Sequence, residues 1–142
     1  LSKKFIIRPN FTLSDNKNVD MNIGLGDVTT NIAYSPSVIF GNILVYSPIE
    51  QLHISLLQKF VGDQYMNNFD SVESRLPDYF VNDLNIVYSI KPKTIFKEIV
   101  LTGLVNNMLN KKYVSNGYMW DVYPYYYPQS GINFLAGMTL KF

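Results

Sequence analysis

The chain has 142 residues, a formal net charge of +1 and no cysteine, which excludes disulfides, thiolate catalysis and Cys-ligated zinc and gives no strong pull towards nucleic acid or anionic lipid. Charged residues make up 16% and aromatic residues 15%, where an average soluble domain carries roughly 25% charged residues. No run of 18 or more apolar residues occurs, so a membrane-spanning helix is excluded. A membrane-spanning barrel is not, because its strands alternate and average to near-neutral hydropathy.

Taken in chain order, the pattern is period two rather than helical. Residues 3–14 set Phe5, Ile7, Phe11 and Leu13 against Lys4, Arg8, Asn10 and Thr12, with Pro9 inside the run. Residues 37–47 are apolar on both faces, so their orientation stays open. Residues 52–65 set Leu52, Ile54, Leu56 and Phe60 against His53, Ser55, Lys59 and Asp63. Residues 79–91 gather Phe80, Leu84, Ile86, Tyr88 and Ile90 opposite Asp83, Asn85, Ser89 and Lys91. Residues 96–107 align Ile99, Leu101, Gly103 and Val105. The clearest strand is 131–142, with Ile132, Phe134, Ala136, Met138, Leu140 and Phe142 on one face and small or polar residues, apart from Leu135, on the other.

The connections alternate as well. Segments 14–37, 66–78 and 110–130 are long; 47–52, with Pro48, and 91–96, with Pro92, are short. That is the rhythm of an all-β, antiparallel up-and-down meander of six strands, with extended loops on one rim and tight turns on the other. A soluble β-sandwich binding module has the same face alternation. Three features favour a bilayer. The strands match the roughly 9–11 residues needed to cross it at a tilt. Phe80 with Tyr88, and Phe134 with Phe142, put rings near the two ends of an apolar face. The chain closes on Phe142, whose ring can sit in lipid while the carboxylate sits in water. Six strands cannot close a transmembrane barrel, and an open edge in lipid strands backbone N–H and C=O groups. The chain is therefore expected to be the tail of a longer protein.

Several stretches then resemble TonB-dependent receptors, with the flavour of Bacteroidetes-type bacteria. They are residues 104–113 (LVNNMLNKKY), 125–134 (YYYPQSGINF), 137–142 (GMTLKF), 59–65 (KFVGDQY) and 75–84 (RLPDYFVNDL). The resemblance runs from about residue 35 to the end. It implies the C-terminal part of a barrel of roughly 22 strands in the outer membrane. An N-terminal plug, absent from this chain, would fill the lumen and contact the TonB complex. The implied function is energised uptake of a scarce ligand such as an iron–siderophore complex, without a cofactor, a resident metal or catalysis. The resemblance also implies a C-terminal signal for the barrel assembly machinery. Gly137, Leu140 and Phe142 fit it, but Leu135 stands where the family has a polar residue.

Candidate sites follow. Segment 110–130 carries seven rings, among them Tyr118, Trp120, Tyr123 and Tyr125, candidates to stack on a ligand at the outer mouth; the weightier explanation is that they form an interfacial aromatic girdle or pack the loop on its neighbours. Lys59, Asp63, Asp83, Asn85 and Lys141 are expected to face the lumen, towards a plug. His53 is the lone imidazole, so a histidine metal site is not expected. A barrel hydrolase would need it near the outer rim, whereas its place beside the short 47–52 turn puts it at the other end. No paired catalytic carboxylates or phosphate-binding loop stand out.

Overall fold

A computed structural model describes residues 4–22, 24, 26–92 and 95–142. Six long strands form one antiparallel sheet in sequence order: β1 (Phe5–Leu13), β4 (Val38–Ile49), β5 (Leu52–Val61), β8 (Tyr79–Ile90), β9 (Glu98–Asn106) and β12 (Asn133–Lys141). The expected meander is present, and β1 and β12 are its two edges. Expected residue 3, and residues 93 and 94 of the second short turn, lie outside the described residues.

Both prolines of the long strands sit where the ladder tolerates a missing N–H. Pro9 is on edge strand β1. Pro48 falls inside β4, at a register shift between Tyr46 and Ile49, so the first short turn is only Glu50–Gln51. The long segments are not plain loops. The first holds the hairpin β2 (Lys17–Asn22) and β3 (Asp27–Asn31). The second, which starts at residue 62 because β5 ends at Val61, holds β6 (Gln64–Tyr65), a 3-10 turn (Val72–Ser74) and β7 (Arg75–Leu76). The third holds β10 (Val114–Trp120) and β11 (Tyr123–Pro128). The expected single strand over 52–65 therefore breaks after Val61.

The pairing register sorts the side chains. Tyr46, Ile54, Ile86, Gly103 and Ala136 lie in one row across five strands. Leu44, Leu56, Leu84, Val105 and Phe134 lie in the next row towards the long-loop end. These rows resolve the orientation of 37–47: Phe40, Leu44 and Tyr46 share the apolar face of the neighbouring strands. That face is largely uncovered. Phe11, Phe134, Met138 and Phe142 are each 60% exposed or more, and Ile7, Ile86, Tyr88 and Leu101 are also exposed. Among the described residues no second sheet packs over it, since the other sheets are two-stranded pieces of the long segments. The opposite face carries Arg8, Asn10, Lys59, Asp83, Asn85, Thr102 and Thr139, as expected. It is more apolar than anticipated, with Ile43, Leu57, Val87 and Leu104 among them.

Aromatic residues bound the apolar face at both of its ends. At the long-loop end Phe11, Phe40, Phe60 and Phe80 share a row. On β12 the corresponding ring is Phe134, whose row meets β4 at Leu44, four positions from Phe40. At the short-turn end Phe5 stacks on Tyr46 at 4.5 Å. The row of Tyr46 reaches β12 at Ala136, six positions before Phe142. At the short-turn end the rings step away from the row of Tyr46, with Tyr88 two positions beyond it on β8 and Phe142 six beyond it on β12; at the long-loop end the four phenylalanines keep to one row and the displacement falls between β8 and β12.

One row interrupts the apolar face. Asn42, Gln58 and Asn82 stand side by side just inside the phenylalanine row. Asn42 Nδ2 donates to Gln58 Oε1 at 3.1 Å, and Gln58 Nε2 donates to Asn82 Oδ1 at 3.2 Å. The chain of amides leaves Asn42 Oδ1 and Asn82 Nδ2 buried without a partner.

Candidate functional site

The third long segment is a twisted hairpin whose tip turns at Asp121, in the left-handed region at φ 54°, and Val122. Its register pairs Tyr118 with Tyr125, Trp120 with Tyr123 and Asn116 with Tyr127. Alternation then puts all five rings on one side of the hairpin. The four residues singled out from the sequence are thus brought together, and Tyr127 joins them. Tyr118 and Tyr125 stack at 5.1 Å with planes 11° apart, and Tyr127 lies 6.0 Å from Tyr118. The strip is open: Trp120 is 71% and Tyr123 63% exposed. Such a strip offers flat π faces to a planar ligand or a sugar ring, with hydroxyls at its margins.

The other side of the hairpin carries Gly117, which has no room for a side chain. A Cβ there would come within 2.6 Å of Met66 Sδ and 2.5 Å of the Tyr125 carbonyl oxygen. Met66 is buried beside Leu76, which is 1% exposed, and Ser74, which is fully buried. The second long segment thus forms a bed under the aromatic hairpin.

The hairpin is rooted by a set of asparagines. Asn107, at φ 47°, donates from Nδ2 to the carbonyls of Lys111 and Ser130 and accepts the Lys111 N–H at Oδ1. Its own N–H donates to Asp83 Oδ1 at 2.7 Å. Asn110 Oδ1 accepts the Ile132 N–H, and Asn106 Nδ2 donates to Asn133 Oδ1. Every participant lies in the stretches 75–84, 104–113 and 125–134. Three of the five family-like stretches are therefore joined in one hydrogen-bonded clamp between sheet and hairpin. Beside it Tyr113 packs on Tyr79 with ring centroids 4.6 Å apart. Burial, then the nearby Asp83 carboxylate, push the Tyr113 phenol above its ordinary pKa. A hollow of about 570 Å³ opens at the root, lined in part by Asp78, Lys111, Lys112, Tyr113 and Gln129.

The remaining expected residues scatter. Gly137 is on the polar face of β12, while Leu140 and Phe142 are on its apolar side, with Phe142 5.1 Å from the Phe96 ring. Lys141 pairs with Glu98, and Asp63, beyond the end of β5, pairs with Arg75. His53 Nδ1 lies 2.8 Å from Ser47 Oγ near the short turn. Among the described residues no carboxylate is seen hydrogen-bonded to this ring. No group of three or more potential metal ligands occurs among the described residues.

No protein-family model matches the chain, and no curated protein is similar to it in sequence at a significant level. Solved structures do match. The siderophore receptor PiuA from Acinetobacter baumannii superposes with a TM-score of 0.72 at 15% identity, over 97% of this chain and 20% of its own length. The ferric-catecholate import receptor Fiu from E. coli K12 matches in its closed form at 0.67 and 15% identity, and in its open form at 0.66 and 14%. The chain has the fold of one stretch of these receptors. It spans about a fifth of their length.

Proposed function

We propose that the chain is the C-terminal wall of a TonB-dependent outer-membrane receptor that takes up an iron–siderophore complex. The observation that carries the reading is the exposed apolar face, bounded by aromatic rings at both ends. In water such a face would be a large aggregation liability. Against hydrocarbon it needs no cover, and the spacing from Phe80 to Tyr88 or from Phe134 to Phe142 gives an apolar band about 19 Å tall at a 45° tilt, near the ~25 Å typical of outer-membrane barrels. The edges β1 and β12 are then closed by further strands of a barrel of roughly 22, with a plug in the lumen and the TonB complex acting through that plug. The hairpins of the long segments stand at the outer mouth, where Tyr118, Trp120, Tyr123 and Tyr125 contact the ligand. Gly137, Leu140 and Phe142 are read by the barrel assembly machinery. The fold shared with two iron-complex receptors supports the ligand class.

The test uses the whole protein that contains this chain, expressed in a bacterium lacking its own catecholate receptors. The expected result is recovery in the outer-membrane fraction and uptake of iron-55 from a ferric tris-catecholate, abolished when TonB is deleted. Replacement of Tyr118 and Tyr125 together by alanine is expected to weaken binding of that complex by at least tenfold. A protein found in the soluble fraction, or uptake indifferent to TonB, overturns the reading.

A further inference from the structure

Tyr34 lies outside every motif considered so far, yet three long segments meet at it. It belongs to the first. Its backbone N–H donates to the Tyr65 carbonyl, in the second, at 2.8 Å. Its hydroxyl donates to the Gly117 carbonyl, in the third, at 2.8 Å across 83 positions of chain. Gly117 is the point where the aromatic hairpin rests on Met66 without room for a Cβ. Tyr34 reaches these partners from the left-handed region, at φ 54°. A bulky residue is rarely found there, and the strain persists only where surrounding bonds hold it.

Its neighbours reinforce the placement. The Ala33 N–H donates to Asn68 Oδ1 at 2.7 Å. The Asp70 carboxylate accepts both the Asn31 N–H and Asn31 Nδ2. Segment one is thereby fastened to segment two on one side of Tyr34, and the Tyr34 hydroxyl carries the fastening on to the strip.

We infer that Tyr34 is a positioning residue for the aromatic strip: its hydroxyl fixes the hairpin at Gly117, so that the rings of Tyr118, Trp120, Tyr123 and Tyr125 are presented as a pre-set surface rather than a mobile one. It touches no ligand itself. Pre-organisation of this kind raises affinity by reducing the ordering that binding must impose. The inference rests on the ligand role proposed for the strip, but its structural half does not need a ligand.

The experiment compares wild type, Tyr34→Phe and Gly117→Ala in the full receptor in detergent. Amide hydrogen exchange is read without ligand. Loss of one hydroxyl bond is expected to speed exchange over 116–127 about fivefold, with β5 and β8 unchanged. Gly117→Ala, which disturbs the same joint from the other side, is expected to do likewise. Binding of a ferric tris-catecholate is then expected to weaken about fivefold in Tyr34→Phe. Unchanged exchange over 116–127, faster exchange spread through β5 and β8, or wild-type affinity in a Tyr34→Phe receptor would each overturn the inference. A receptor whose exchange responds as expected but which does not bind the probe even as wild type would leave the joint standing and remove the ligand assignment.

Discussion

In the half of the sheet nearest the short turns, no described residue of β4, β5, β8 or β9 is buried; at the other end and in the long segments, Thr30, Val61, Met66, Ser74, Leu76, Tyr79, Val81, Asn82 and Asn107 all are. The long-loop part behaves as a small protein domain, with buried methyl groups and clamped loop ends. The sheet behaves as a wall whose apolar face is left uncovered by the other described residues, although 47% of the chain is hydrophobic. In the proposed membrane setting the contrast means that one chain is folded against two solvents: where water surrounds it, it builds a core; where it meets hydrocarbon, exposure of Phe134 or Met138 is no defect.

Substitutions can break that contrast. Leu76→Ala, in the outer core, is expected to destabilise by about 2–5 kcal/mol through a buried cavity, read as a loss of protease resistance in the outer segments. Met138 stands midway between Phe134 and Phe142, and Met138→Arg is expected to cost about 2–4 kcal/mol in a bilayer. Its neighbour Thr139→Arg, on the other face, is expected to cost little; folding titrations in lipid vesicles compare the two, and equal effects would mean that the faces do not meet different solvents. Gln58→Leu removes the middle amide of its row and strands two partners, an expected loss of about 1–3 kcal/mol in the same titration. Smallest is Arg75→Ala, which removes the half-exposed pair with Asp63 and is expected to change stability by no more than about 1 kcal/mol.

Much of the wall was legible in the sequence. Strand period is a local property, so β5, β8, β9 and β12 could be read from alternation, and the long–short rhythm supplied the order of the sheet. The ambiguous 37–47 was not readable, because its face is decided by the neighbours opposite Leu44 and Tyr46, not by its own residues. Gln58 and Asn82 were missed for a related reason. Each is one polar residue in a greasy series, and only the register reveals that they stand beside Asn42 in one row. At the site, four rings of one hairpin face were readable as a cluster of Tyr and Trp. The clamp of Asp83, Asn107 and Asn110 and the joint at Tyr34 were not, since their bonds span some 20 to 80 positions and leave no local trace beyond short polar side chains.

The amide row has a consequence for how the wall comes together. Oily side chains are nearly indifferent to a slip of two places between neighbouring strands, which keeps every greasy residue on its own side. Three amides joined end to end are not indifferent. After such a slip Gln58 would meet Phe40 or Leu44, and each orphaned amide would cost about 1–3 kcal/mol. Asn42, Gln58 and Asn82 thus work like the teeth of a key, turning a sheet that could align in several ways into one that aligns in a single way.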